Sequence, residues 1–111
     1  MTAAKAEGPK LAEAITIRLR KPIQAHGAEI AETSLREPSP LDIATAGYPV
    51  VVHAVDGSIG FDGGIVFRLI VRLTNLPQSS VEKMSRVDFL NHFNVVTGFF
   101  TEDETDSTDP S

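Results

Sequence analysis

The chain has 111 residues, 41% of them hydrophobic and 23% charged, with no cysteine. That length fits one domain, and the missing thiols exclude a disulfide framework and a thiolate metal site. The net charge of -5 arises in residues 101–111, where Glu102, Asp103, Glu104, Asp106 and Asp109 stand without a base. The remainder balances acids against bases, so it lacks the positive surface that phosphate binding needs, and nucleic acid is not an expected partner.

The longest apolar run is far too short to span a bilayer, and the N-terminus lacks an apolar stretch of signal-peptide length. The chain therefore reads as soluble, unsecreted and without a membrane partner. Residues 1–12, rich in Ala, Lys and Glu around Gly8-Pro9, read as a disordered lead-in. Residues 13–100 read as a single domain, and residues 101–111 as a disordered acidic tail. A domain of this size can draw stability from self-association, so a homo-oligomer is one arrangement to expect.

The domain opens with Ile15, Ile17 and Leu19 alternating with Thr16, Arg18 and Arg20, the period of a half-buried strand. Pro22 ends ladder pairing or marks an edge. Gly27, in the stretch Ala25-His26-Gly27-Ala28, permits a tight turn. A second strand follows over residues 29–36, where Glu29 and Glu32 can face Arg18 and Arg20. Ser39, Pro40 and Asp42 then form an N-cap, a first helical residue and a capping box partner. Gly47 and Pro49 stop that helix early.

Residues 50–53 read as briefly extended, and residues 56–64 as a turn-rich connector. Gly57, Gly60 and Gly63 recur every third residue, but no P-loop lysine follows and Asp56 and Asp62 would repel an anion, so a hinge-like turn is the reading. Residues 65–76 carry enough β-branched side chains to suit a strand. A helix is favoured because Arg68, Arg72 and Asn75 fall at i, i+4 and i+7, leaving the other faces apolar. Such a helix is buried on two sides, and a second subunit can supply one of them. Ser79 with Glu82, and Ser85 with Asp88, then repeat the capping-box pattern, opening a short turn of helix and the C-terminal helix. On that last helix Phe89, Phe93, Val96 and Phe100 share a face. The expected class is α+β: an N-terminal antiparallel β-hairpin followed by a small bundle of three to four helices.

Reaction chemistry is hard to place. His26, His53 and His92 have no metal-ligand spacing beyond Asp88 and His92, which read as a solvated i, i+4 pair. Ser58 lacks a nucleophile elbow. Paired carboxylates occur only in the tail, where nothing desolvates them. Neither an enzyme nor a cofactor is expected. What remains are apolar walls: Ile65, Phe67, Ile70 and Leu73 on one helix, and Phe89, Phe93, Val96 and Phe100 on the other. Arg68 and Arg72 are placed to hold an acidic partner, although a solvated helix edge is the plainer reading. These ten residues are the candidate partner-binding set.

The chain resembles the tail assembly chaperone family of Mu-like and related contractile-tailed phages and prophages. The resemblance is carried by residues 15–20 with Lys21-Pro22-Ile23, by Gly27, by Leu35-Arg36-Glu37-Pro38 and by Leu41-Asp42-Ile43. It continues through residues 69–73, Leu76-Pro77, Ser85, Asp88-Phe89 and residues 95–100. It departs from the family pattern in a longer, glycine-rich connector at residues 48–62 and in the acidic end. The resemblance implies a protein of the infected host cytoplasm that binds the tape measure protein, keeps it soluble and promotes polymerisation of the tail tube protein. It implies absence from the finished virion and, often, a frameshifted longer form of the same chain as a further partner. Two other readings stand beside it: a small structural tail or connector component, and a bacterial protein-interaction module that uses the acidic tail.

Overall fold

The computed structural model describes the backbone of residues 14–108 and the side chains of residues 14–101. The expected lead-in at residues 1–12 lies outside the described residues.

Two strands, β1 (Ile15–Ala25) and β2 (Ala28–Leu35), form an antiparallel hairpin. Its turn is His26 and Gly27, with φ of 54° and 77°. Positive φ at both central residues is the turn whose twist matches that of the flanking strands, and Gly27 adopts it without a Cβ penalty. Alternation places Ile17, Leu19, Ile23 and Ala25 on one buried face and Thr16, Arg18 and Arg20 on the exposed one. Arg18 lies opposite Glu32 as expected, whereas Glu29 lies opposite Gln24. Pro22 does not end the strand. The pairing passes from Arg18–Glu32 to Ile23–Ile30, so β1 bulges and its proline sits where the ladder is interrupted.

Helix α1 (Pro40–Ala46) begins at the expected cap: Ser39 accepts from the Asp42 N–H while the Asp42 carboxylate accepts from the Ser39 N–H. It ends at Gly47, whose φ of 112° and whose approach to Ile65 both favour glycine. The connector holds more structure than its glycines suggest. Strands β3 (Val50–Val52) and β4 (Ile59–Phe61) make a second antiparallel hairpin. Gly57 takes a positive φ in the turn, while Gly60 belongs to β4 and lies against the His53 ring. Val52, Val55 and Ile59 stand exposed on this arm.

Helix α2 (Gly63–Thr74) confirms the helical reading of the Arg68, Arg72 and Asn75 stripe. Asp62 caps its start by accepting from the Ile65 N–H at 3.0 Å, and Asn75 ends it in the left-handed conformation. Helix α3 (Gln78–Glu82) starts earlier than the serine pattern implies. Pro77 occupies its N-cap without a side-chain bond, so Ser79 is not the cap. Helix α4 (Arg86–Thr108) starts with Ser85 accepting from the Asp88 N–H at 3.1 Å. Only that half of the expected capping box forms, because the Asp88 carboxylate is engaged elsewhere.

The core lies between the buried face of the first hairpin and the helices α2 and α4. It joins Ile17, Leu19, Ile23 and Leu35 to Val66, Leu69, Ile70 and Leu73, and to Val96 and Phe100. Each fully buried aliphatic side chain contributes roughly 1.5–3 kcal/mol. This is the α+β arrangement expected, with four helices among the described residues and one additional short hairpin.

Candidate functional site

The aromatic side chains of α2 and α4 meet at the edge of the core. Phe67 and Phe89 have ring centroids 6.2 Å apart, and Phe89 and Phe93 repeat that distance. Both spacings fall within the range of favourable ring pairing. All three rings are half-buried, so each packs on the core with one side and meets solvent with the other. Leu90, on the same helix, is 45% exposed. Phe100 instead turns inward and meets Tyr48 edge-on at 5.6 Å.

A groove of about 190 Å³ continues from Phe67. Helix α1 contributes Thr45 and Ala46 to it, α2 contributes Val71, Arg68 and Arg72, and α3 contributes Gln78. Its floor is apolar and its border carries two guanidinium groups. Arg68 is exposed and donates through Nε to the Ala46 carbonyl at 3.3 Å. Arg72 donates through Nε to Asp42 at 2.9 Å.

Asp42 therefore has two roles. It completes the α1 capping box, and it holds Arg36 and Arg72 at 2.7 and 2.9 Å. Arg36 also donates to the Arg72 carbonyl. The end of β2, α1 and α2 are thus tied at one carboxylate that is 1% exposed. The Arg36 hydrogen bond, followed by those from Ser39 and Arg72, outweighs the burial penalty and holds the Asp42 pKa well below the usual carboxylate range.

A second polar cluster corrects the expectation of a solvated Asp88–His92 pair: both side chains are fully buried. The Asp88 carboxylate accepts from the backbone N–H of Arg20 at 2.9 Å and of Lys21 at 3.1 Å. These are donors that the bulge in β1 withdraws from the ladder. Burial opposes ionisation of Asp88, but the two backbone donors and the Ser85 hydroxyl outweigh it, so its pKa lies below the ordinary value. The His92 Nδ1–H donates to the Asp88 carbonyl at 2.7 Å, and Nε2 accepts from the Thr33 hydroxyl at 2.6 Å. A carbonyl can only accept, which fixes that tautomer. Burial pushes the His92 pKa below its ordinary value.

The ten residues singled out from the sequence thus divide. Ile70, Leu73, Val96 and Phe100 are buried in the core. Ile65, Phe67, Phe89 and Phe93 are half-buried around it, Arg72 is partly exposed and tied to Asp42, and Arg68 is exposed on the groove. Sequence reasoning missed Thr45, Val71 and Gln78 as groove residues, because three separate helices bring them together. Leu90 it also missed, although its position three residues before Phe93 on one helix was a usable sign. Among the described residues, no three histidine, aspartate or glutamate side chains gather as a metal site, and no helix is long and apolar enough to cross a membrane.

A family model described as phage tail assembly chaperone proteins, E, or 41 or 14, matches residues 16–101. Neither the curated proteins nor the solved structures contain a match.

Proposed function

The chain belongs to the phage tail assembly chaperone family, and from that premise we propose that it binds the tape measure protein in the host cytoplasm, keeps it soluble and promotes growth of the tail tube around it. It acts by binding, without catalysis, and leaves the particle before completion. A frameshifted longer form of the chain and the tail tube protein are the further partners in this scheme.

The half-buried aromatic shelf of Phe67, Phe89 and Phe93 is the observation that carries the reading. A tape measure protein presents long apolar helical stripes until it is sheathed, and such a stripe is aggregation-prone in water. A shelf of aromatic rings beside an apolar groove offers that stripe a partner surface, in the manner of a helix laid against a groove. Large aromatic side chains also carry a disproportionate share of interface energy.

The test is a pull-down of the tape measure protein by the full chain and by two variants. Leu90→Asp places a charge at an already exposed position and is expected to fold. Phe93→Asp places one on the shelf itself. Both are expected to weaken capture by about tenfold or more, which corresponds to about 1.4 kcal/mol. Capture unchanged in a folded Leu90→Asp and a folded Phe93→Asp would place the partner elsewhere. Recovery of the chain in purified particles would favour a structural tail component.

A further inference from the structure

We propose that the groove bordered by Arg68 and Arg72 receives the acidic C-terminal segment of a second copy of this chain, so that copies join head to tail. The inference shares Phe67 and the groove with the tape measure reading, but it is argued from charge and spacing and is tested on this chain alone.

Two guanidinium groups, those of Arg68 and Arg72, border the groove. Arg36 and Arg72 share Asp42, whereas Arg68 forms no ion pair among the described residues. Arg68 thus presents an exposed guanidinium beside the apolar side chains of Ala46, Phe67 and Val71. The chain carries its complement at the other end: residues 101–111 hold five acids and no base. The spacing also corresponds. Arg68 and Arg72 are four residues apart on α2, and Glu102 and Asp106 are four apart in a segment whose backbone continues α4. Helical i, i+4 positions lie about 5–6 Å apart, so two such pairs can meet in register.

The occupant comes from another copy because α4 runs unbroken for 23 residues, from Arg86 to Thr108. At 1.5 Å per residue it prolongs its own axis for roughly 34 Å. Between Phe99 and Asp109 there is no glycine or proline at which the chain would turn back onto its own α2. A groove and a segment at different places on one molecule give a heterologous contact, which builds a ring or an open chain according to the rotation between successive copies.

The test is analytical ultracentrifugation of the full chain across concentration and salt. Self-association is expected, and it should weaken as salt screens exposed charges. Arg68→Glu alone, and the double variant Glu102→Lys with Asp106→Lys alone, should each weaken it by about tenfold. Mixing the two variants should restore it, because each then supplies the charge the other lacks. The double variant leaves α2 and the groove unaltered, so it remains informative if Arg68→Glu fails to fold. A monomeric wild-type chain, variants that associate like the wild type, or a mixture without rescue would overturn the proposal. Association that survives both reversals would point to another face, such as the exposed β3–β4 arm.

Discussion

Two buried carboxylates join elements that are distant in the chain. Asp88 answers the backbone donors of Arg20 and Lys21, more than sixty residues away. Asp88→Ala strands both N–H groups, and an unsatisfied buried donor costs about 1–3 kcal/mol. A loss of roughly 2–4 kcal/mol is expected in denaturant unfolding, with a smaller loss for Asp88→Asn, whose amide oxygen still accepts. A loss below about 0.5 kcal/mol for Asp88→Ala would contradict the role assigned to it. His92 gives a pH signature. Its pKa in the fold is depressed below its ordinary value of 6.5, so the unfolded chain takes up the proton first. Its contribution to stability is complete above 6.5 and is lost as pH falls below that value. Asp42 and Asp88, also depressed, lose theirs only below about pH 4. The melting temperature should therefore fall in two stages on acidification, and His92→Gln should remove the first while the second remains. Identical slopes for the variant and wild type between pH 7 and 5 would contradict this. The Asp42 cap was legible in the sequence because Ser39, Pro40 and Asp42 are local. The roles of Asp88 and His92 were not, because their partners lie in a strand that no spacing connects to them.

Elements were legible where their periodicity is long. Ile15, Ile17 and Leu19 declare β1, and Arg68, Arg72 and Asn75 declare α2 against the β-branched content around them. Of the β3–β4 hairpin, β3 was legible as the extended reading of residues 50–53, but β4 was not, since a three-residue strand cannot show a period and Gly60 reads as a turn residue although it lies in a strand. The aromatic shelf was half legible: helical spacing gathered Phe89 and Phe93 with Val96 and Phe100, but only packing against α2 separates the half-buried rings from the core ones. The first hairpin can be tested through its turn. Gly27, at a φ of 77°, tolerates no β-branched residue without strain. Gly27→Val should cost about 1–2 kcal/mol in thermal or denaturant unfolding. Because the added side chain would meet no atom within 4 Å, the loss would be conformational rather than steric crowding. An unchanged stability would argue against the turn geometry.

At the scale of the whole molecule, one sheet face and two helices enclose the core, while the aromatic shelf, the arginine-bordered groove and the β3–β4 arm remain at the surface. Such a molecule is organised for contact, and its family membership directs that contact to phage tail assembly. The most direct test is co-expression in bacteria with a phage tape measure protein, followed by measurement of the soluble fraction and by light scattering of the purified material. The account predicts a tape measure protein that becomes soluble and co-purifies with several copies of this chain. A tape measure protein that stays insoluble, with this chain running alone, would contradict it.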